Sequence, residues 1–244
     1  MNNGYIAVID SGVGGISLLK KLIKVFPEEH FLYFGDSENL PYGNKDEKTL
    51  KDITFNNISY ILSFNVKMII VGCNTLSLTC LQFIKDISGV ETYGVFPPVE
   101  NFLLKGEKVL LLCTEKSADF YKNYKNLTVL ALPKLAEDIE NNVFNLHCVN
   151  ISNHLKNSFI KPNFLCKFDR VILGCTHYFF VKNKIFDHLR PPKILCAEDM
   201  TVKFLMRKYK NQKSLINNKR FKVLFIGKNK DKYEKFFYLS GQDD

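Results

Sequence analysis

Residues 68–75 of the chain read MIIVGCNT, and residues 170–177 read RVILGCTH. In both stretches an apolar run ends in Gly-Cys and is followed by two polar residues. A short, continuous apolar run is typical of a strand buried in a parallel sheet. The sequence therefore predicts two equivalent strands, one leading to Cys73 and the other to Cys175.

The similarity between the two halves extends upstream of these cysteines. A hydroxyl residue precedes each of them at nearly the same distance, Ser11 by 62 residues and Thr114 by 61 residues. A carboxylate also precedes each cysteine at a similar distance. Asp36 lies 37 residues before Cys73, and Glu140 lies 35 residues before Cys175. Three features in register indicate two domains of similar design. Ligands of parallel sheets bind beyond the carboxyl ends of the strands, so these side chains are expected to meet in one cleft.

Short apolar runs alternate with longer stretches of helical spacing along the chain. Strands are predicted over residues 5–9, 31–34, 68–71, 109–112, 128–132 and 171–173, and helices over 16–26, 49–64 and 76–87. This alternation favours an α/β fold built from parallel sheets. We expect two similar α/β domains with the active site in the cleft between them.

Composition is that of a folded protein. The chain has 244 residues, of which 46% are hydrophobic, including 21 Phe and 11 Tyr. This apolar content excludes a wholly disordered chain. No stretch approaches the roughly 18 consecutive apolar residues of a membrane-spanning helix, and no basic secretion signal opens the sequence. We therefore expect a cytoplasmic protein without a membrane partner.

The formal net charge of +9 is concentrated near the C-terminus. Residues 203–235 contain 12 Lys and Arg, against only Asp231 and Glu234. No recognised nucleic-acid motif accompanies this basic segment, so we interpret it as a solvated helix face with a loop. A nucleic-acid partner is not expected.

The seven cysteines do not suggest a disulfide framework or a metal site. Their number is odd and none of them forms a C-x-x-C pair. Zinc sites and redox motifs normally show such pairs. Most of these thiols are expected to be buried apolar fillers, and only the two cysteines of the repeat carry neighbours that point to chemistry.

Two thiols on opposite sides of a ligand have a specific chemical use. One thiolate removes a proton from one face of a carbon, and the other thiol returns a proton to the opposite face, which inverts the stereocentre. Asp36 and Glu140 would raise a nearby thiol pKa, so they are predicted to relay protons or to hold a cationic group of the substrate. His177 is predicted to be a proton partner of the second thiol.

Some of these motifs also have a purely structural interpretation. In the stretch DSGVGG (residues 10–15), Ser11 can cap a helix while the glycines supply positive φ angles. A dinucleotide-binding loop is not matched, because the G-x-G-x-x-G pattern ends here in Ser17. Pro41-Tyr42-Gly43 is usually only a turn.

Taken together, the motifs resemble those of the glutamate racemases, within the aspartate/glutamate racemase superfamily. The resemblance runs from about residue 5 to the end of the chain. It implies that the C-terminal segment returns to the first domain, so that residues 1–93 plus 209–244 form the first domain and residues 94–208 the second. The matching stretches are IDSGVGG (9–15), GD (35–36) with LPYG (40–43), GCNT (72–75), GCTHY (174–178) and the tail FYLSG (237–241).

The resemblance implies a racemase that needs no organic cofactor and no metal, and that supplies D-glutamate for peptidoglycan. It makes Cys73 and Cys175 the acid–base pair, assisted by Asp10 and His177. Further catalytic candidates are Asp36 and Glu140. The implied substrate-binding residues are Asp10, Ser11, Tyr42, Gly43, Asn74, Thr75, Thr176 and His177. The partner is a small molecule, glutamate, and a homodimer is the assembly common in the family.

Two other functions stay open at this point. One is racemisation of aspartate or another amino acid, and the other is a non-catalytic binding protein whose basic tail contacts a macromolecule. Cysteines in both halves favour catalysis, while Pro41-Tyr42-Gly43 and the tail favour glutamate. The stretch 114–121 lacks the spacing usual in the family, which makes Thr114 the weakest of the assigned residues.

Overall fold

The computed structural model describes residues 4–156, 168–209 and 221–240. The strands are β1 (Tyr5–Asp10), β2 (Phe31–Gly35), β3 (Val66–Val71), β4 (Glu91–Gly94), β5 (Val109–Cys113), β6 (Leu127–Ala131), β7 (Arg170–Leu173), β8 (Ile194–Cys196) and β9 (Val223–Ile226). The α-helices are α1 (Gly15–Val25), α2 (Glu47–Leu62), α3 (Asn74–Ser88), α4 (Glu100–Leu103), α5 (Glu115–Tyr121), α6 (Leu135–Asn141), α7 (Ile151–Lys156), α8 (Lys182–Leu189), α9 (Ala197–Lys208) and α10 (Lys230–Leu239). Short 3₁₀ helices span Tyr42–Asn44, Leu146–Cys148 and Thr176–Val181.

The strands form two parallel sheets, as the alternation of apolar and amphipathic stretches predicts. The first sheet has five strands in the order β4-β3-β1-β2-β9, and the second has four in the order β6-β5-β7-β8. All neighbouring strands run parallel. The fold is therefore α/β with two parallel sheets, and the final strand of the chain returns to the first of them.

Three strands were not predicted from the sequence, namely β4, β8 and β9. All three lie at the edge of a sheet and have only three or four residues. An edge strand has one strand neighbour and is covered less completely, so polar residues such as those of β4 (ETYG) are tolerated there. Strands β8 (ILC) and β9 (VLFI) are apolar, but runs this short cannot be told from part of a buried helix by periodicity alone. The central strands β1 and β5 are almost wholly buried, which is why the apolar pattern identifies them.

Helices cover both faces of the first sheet. Leu50 of α2 and Ile84 of α3 pack with β1 and β2 on one face. On the other face, Leu19 of α1 packs in a second apolar cluster that also contains Val202 of α9 and Phe236 of α10. Since α9 follows a strand of the second sheet, this cluster joins the two halves. In the part of the chain described, no helix combines the length and apolar character that crossing a membrane would require.

Candidate active site

The parallel arrangement brings the polar ends of the central strands together. Ile9 of β1 lies opposite Val71 of β3, so Asp10 and Cys73 follow at the same edge of the first sheet. In the second sheet, Leu112 of β5 lies opposite Leu173 of β7, so Thr114 and Cys175 follow at its equivalent edge. The two cysteines thus occupy corresponding positions, as the sequence repeat predicts.

A small cavity lies between these two edges. Its volume is about 20 Å³, and both cysteines of the repeat, Cys73 and Cys175, line it. From the first half it is also lined by Ser11, Leu40, Pro41, Tyr42, Gly43, Asn74 and Thr75, and from the second by Thr114, Ala136, Thr176 and His177. Seven of the eight predicted substrate-binding residues are in this lining. The eighth, Asp10, lies immediately behind it, in contact with Thr176.

The glycine-rich loop after β1 lets the two halves approach each other closely. A Cβ on Gly12 would lie 2.2 Å from Oε2 of Glu140, and a Cβ on Gly14 would lie 2.3 Å from Oγ1 of Thr176. These glycines do not have positive φ angles, which the structure shows at Gly89, Gly106 and Gly227. The structural interpretation of these glycines as suppliers of positive φ angles is therefore wrong, and the reason for glycine at both positions is space.

Ser11 does not cap the following helix either. Helix α1 begins at Gly15, its N-cap residue is Gly14, and no side chain caps it. Ser11 instead belongs to the cavity wall, and only 6% of it is exposed.

Asp10 is a buried carboxylate that links the two halves. Its Oδ1 accepts a hydrogen bond of 3.2 Å from the Gly12 amide, and its Oδ2 accepts one of 3.0 Å from Thr176 Oγ1. Burial raises the pKa of Asp10 to about 6, although His177 and these hydrogen bonds oppose the change. Burial and the nearby Asp10 also raise the pKa of the Cys73 thiol.

The second thiol has a different set of neighbours. Nδ1 of His177 lies 3.9 Å from Sγ of Cys175, and Nε2 of the same ring lies 3.0 Å from Oε2 of Glu140. Burial disfavours charge on His177, but Cys175 and Glu140 outweigh burial and raise its pKa to about 10. Burial likewise opposes ionisation of Glu140, yet His177 and Lys232 lower its pKa to about 2. This arrangement keeps a buried carboxylate beside an imidazolium.

Asp36 lies away from the thiols, behind Tyr42. Its carboxylate accepts hydrogen bonds from Tyr42 Oη at 2.7 Å, from Asn57 Nδ2 at 2.8 Å and from Asn39 Nδ2 at 3.0 Å. Burial and Asp36 raise the pKa of Tyr42 well above its usual value, so Tyr42 keeps its proton. The structure therefore places Asp36 where it orients a cavity residue, outside the cavity lining itself.

A cluster of hydroxyl groups forms the other end of the cavity. Thr75 Oγ1 lies 3.0 Å from Thr114 Oγ1 and 3.4 Å from Ser117 Oγ. Thr114 also caps helix α5, because its side chain accepts a hydrogen bond from the Ser117 amide. Thr114, the weakest assignment from the sequence, is thus brought to the cavity, and Ser117 was missed.

Asn74 has a buried side chain whose hydrogen-bonding groups are free. Neither Nδ2 nor Oδ1 has a partner among the residues described, although only 2% of Asn74 is exposed. An unpaired buried amide is costly, so its presence in a cavity wall indicates a ligand group that completes it.

None of the remaining described cysteines lines the cavity. Cys80, Cys113 and Cys196 are buried free thiols and Cys148 is an exposed one, while Cys166 lies outside the described residues. Within residues 4–156, 168–209 and 221–240, no three His, Cys, Asp or Glu side chains are grouped so that they could hold a metal ion.

Comparison with known proteins connects this geometry to a family. A glutamate racemase from Clostridium botulinum is 32% identical over 245 residues, which cover 95% of this chain and 94% of that protein. The crystal structure of glutamate racemase from Thermus thermophilus, in complex with β-chloro-D-alanine, matches with a TM-score of 0.78 at 27% identity and covers 99% of this chain and 94% of its own. The glutamate racemase isoform RacE1 from Bacillus anthracis has the same fold, with a TM-score of 0.80 at 24% identity, covering 99% of this chain and 96% of its own.

A more distant structure shares the fold. An aspartate racemase homologue from Pyrococcus horikoshii matches with a TM-score of 0.52 at 19% identity, covering 86% of this chain and all of its own. No protein-family model matches the sequence. The similarity to the glutamate racemases spans both sheets and the cleft between them, and the chain therefore belongs to the glutamate racemase family of amino-acid isomerases.

Proposed function

We propose that this protein interconverts L- and D-glutamate without a cofactor, using Cys73 and Cys175 as the two proton-transfer groups. The observation that carries the proposal is that these thiols follow corresponding strands of two sheets and line one cavity. Groups at facing edges approach a bound substrate from opposite sides. Two thiols on one side would return the proton to the face it left and would not invert the carbon.

The reaction consists of two proton transfers. One cysteine, as thiolate, takes the α-proton and becomes a thiol, leaving the electron pair on Cα. The other cysteine, as thiol, gives its proton to the opposite face of Cα and becomes a thiolate. The substrate is then inverted with no net gain or loss of protons, and exchange with water returns the thiols to their starting forms.

The two thiols differ in their proton partners. Asp10, with a pKa of about 6, is largely ionised at neutral pH and is suited to accept the proton of Cys73. His177, with a pKa of about 10, is an imidazolium at neutral pH and is suited to donate to Cys175. The ammonium group of an amino acid, placed between the thiols, would stabilise either thiolate and lower the raised pKa of Cys73.

The cavity lining supplies neutral polar groups for the rest of the substrate. The free Asn74 amide and the hydroxyls of Ser11, Thr75 and Thr176 are suited to bind carboxylate oxygens, and Tyr42, held by Asp36, closes one wall. The present volume of about 20 Å³ is far smaller than the roughly 300–1,000 Å³ of typical ligand pockets. We therefore propose that the two halves separate to admit glutamate and close on it.

Further parts of the proposal follow from the family. The D-glutamate formed would be used for peptidoglycan, and a homodimer is the expected assembly. Aspartate is the alternative substrate, but the closer similarity is to glutamate racemases. A purely binding function leaves unexplained why both halves place a thiol in the cavity.

The decisive experiment is racemisation followed by circular dichroism. L- or D-glutamate is added to purified protein in the presence of a chelator and without pyridoxal phosphate. Both enantiomers should proceed to the racemic mixture, and aspartate should react far more slowly. Equal or faster turnover of aspartate would replace the substrate assignment, and no turnover of either would favour a binding protein.

A further inference from the structure

Among the described lysines of the basic C-terminal segment, Lys232 is the one that is half-buried. Lys232 is on helix α10, and its Nζ donates hydrogen bonds to Glu140 Oε1 at 2.7 Å and to the backbone carbonyl of Glu140 at 3.0 Å. The side chain of Glu140 is only 4% exposed and that of Lys232 is 29% exposed. This ion pair is therefore far less accessible to water than an ordinary surface pair, for which the contribution is small.

The backbone carbonyl and the side-chain Oε1 of Glu140 both need a hydrogen-bond donor, and the ammonium group of Lys232 supplies it. Glu140 is near the end of helix α6, where the last carbonyl groups have no partner within the helix. A lysine at that point satisfies the carbonyl and interacts favourably with the helix dipole. The same ammonium neutralises Oε1, while Oε2 accepts hydrogen bonds from the Val13 amide at 2.7 Å and from His177. The carboxylate is thus fixed on both oxygens.

The position of Lys232 is itself fixed by aromatic packing. The Phe236 ring, one turn further along α10, lies 5.0 Å from that of Phe180 and 6.2 Å from that of Phe144, both in the second half. The neighbouring Tyr233 is buried with its ring 5.6 Å from that of Tyr33 in the first half. Helix α10 consequently bridges the two halves with Lys232 directed at Glu140.

We propose that Lys232 is a positioning residue, which holds Glu140 so that Glu140 orients His177 toward Cys175. The contacts form one continuous series from the exposed surface to the thiol: Lys232, Glu140, His177 and Cys175. Lys232 does not contact the cavity, so its effect is transmitted through Glu140. This inference rests on the proposed function and assigns to the C-terminal helix a part in one of the two proton transfers.

The titratable groups that face Glu140 decide the expected pH dependence. They are Lys232 and Tyr233 on α10, His177 beyond β7, Asp10 at the end of β1 and Tyr33 on β2. Removing the lysine removes a positive charge that lowers the pKa of the Glu140 carboxyl group, so that pKa should rise. The acid limb of the activity profile should then move to higher pH.

The test compares three variants with the wild type. Lys232→Met removes the charge, Lys232→Arg keeps it, and Lys230→Met is the matched control, since Lys230 is an exposed lysine of the same helix. We expect Lys232→Met to lose roughly tenfold in kcat, less than the about 10²–10⁴-fold of a general acid–base group, with little change in KM. Its acid limb should move to higher pH. Lys232→Arg should recover most of the rate, and Lys230→Met should behave as wild type.

A second measurement is independent of turnover. With ¹³C-labelled glutamate side chains, the Glu140 carboxyl signal, assigned from Glu140→Gln, should titrate at higher pH in Lys232→Met than in Lys230→Met. An unchanged titration and an unchanged acid limb in Lys232→Met would overturn the proposal. So would equal losses in all three variants, which would indicate only damage to α10. If the wild type does not racemise glutamate, the proposed function fails, and the carboxyl titration still decides whether Lys232 controls Glu140.

Discussion

Thr176 donates a hydrogen bond of 3.0 Å from its Oγ1 to Oδ2 of Asp10, across the boundary between the two sheets. The residue next to the second cysteine therefore contacts the end of the strand beside the first cysteine. This contact places the neighbours of both thiols in one buried network. A substitution next to one thiol is consequently expected to affect the groups on both sides of the cleft.

Replacing either cavity cysteine should abolish racemisation in both directions. Cys73→Ala and Cys175→Ala each remove one of two required proton-transfer groups, and roughly 10²–10⁴-fold is the usual scale of such a loss. Cys80→Ala is the matched control, because Cys80 is also a buried free thiol but does not line the cavity. Rates followed by circular dichroism test this. Near-normal turnover in either cavity variant would contradict the two-thiol mechanism.

Isotope exchange should show which face each proton comes from. When L-glutamate is converted in D₂O, the D-glutamate should carry deuterium at Cα from its first appearance, because the delivering thiol exchanges with water beforehand. The remaining L-glutamate should acquire deuterium much more slowly. Proton NMR of the Cα signals measures both. Substantial unlabelled D-glutamate in early turnovers would show that a single base acts on both faces.

Asp10→Asn should gain stability, relative to the wild type, as the pH rises. The folded-state pKa of Asp10 is raised to about 6 from an ordinary 3.8, so its stabilising contribution is complete below 3.8 and is lost as the pH rises through 6. With about 1.4 kcal/mol for each pKa unit, the wild type should lose about 3 kcal/mol over this range that the variant retains. Urea unfolding at pH 4 and pH 7 measures the difference. An equal effect of the substitution at both pH values would contradict the raised pKa.

His177→Asn should flatten the alkaline side of the stability profile. His177 has a folded-state pKa of about 10 against an ordinary 6.5, so its contribution is complete below 6.5 and is lost as the pH rises through 10. Urea unfolding between pH 6.5 and 10 should show a steeper decline for the wild type than for the variant. His188→Asn is the control, since His188 is an exposed histidine of α8. Parallel declines for wild type and His177→Asn would show that the imidazole is not charged in the folded protein.

Gly14→Ala should lose more activity than its loss of stability explains. The added methyl group would lie 2.3 Å from Thr176 Oγ1 and 2.7 Å from His177 Nδ1, which forces the two edges of the cleft apart. Gly106→Ala is the control, because Gly106 has a φ of 75° but no atom within 4 Å of the added methyl group. Gly106→Ala should lower the midpoint of unfolding through backbone strain alone and leave the turnover of the folded protein unchanged. Full activity in Gly14→Ala would show that the close approach is unnecessary.

The sequence repeat was sufficient to predict the two sheets because their central strands are buried on both faces. A strand such as β5 must then be apolar at every position, and this pattern survives in the sequence. Strand β9 (VLFI) is apolar too, but a run of four residues cannot be told from part of a buried helix by periodicity alone. The return of the chain to the first sheet was inferred from the family resemblance, since no local pattern indicates it.

The site could be predicted in part for a similar reason. Residues that immediately follow a central strand, such as Cys73, Asn74 and Cys175, have their position fixed by that strand. Lys232 was hidden, because a lysine within a basic segment looks like any solvated lysine until α10 is placed against Glu140. Asp36 was predicted at this edge of the sheet, but its contact with Asn57 could not be predicted, because that contact depends on how α2 packs.

The unequal surroundings of the two thiols have a consequence for the kinetics. Cys73 lies near a carboxylate, whereas Cys175 lies beside an imidazole that is itself paired with a carboxylate. Mirror-image substrates have equal free energies in water, so the ratio of kcat/KM for the two directions must equal one whatever the protein does. An asymmetric cleft can therefore give one enantiomer a higher kcat only if the KM for that enantiomer is higher by the same factor. A mutation that alters one neighbourhood alone can therefore change kcat and KM of the two directions by different factors, but the two values of kcat/KM must rise or fall together.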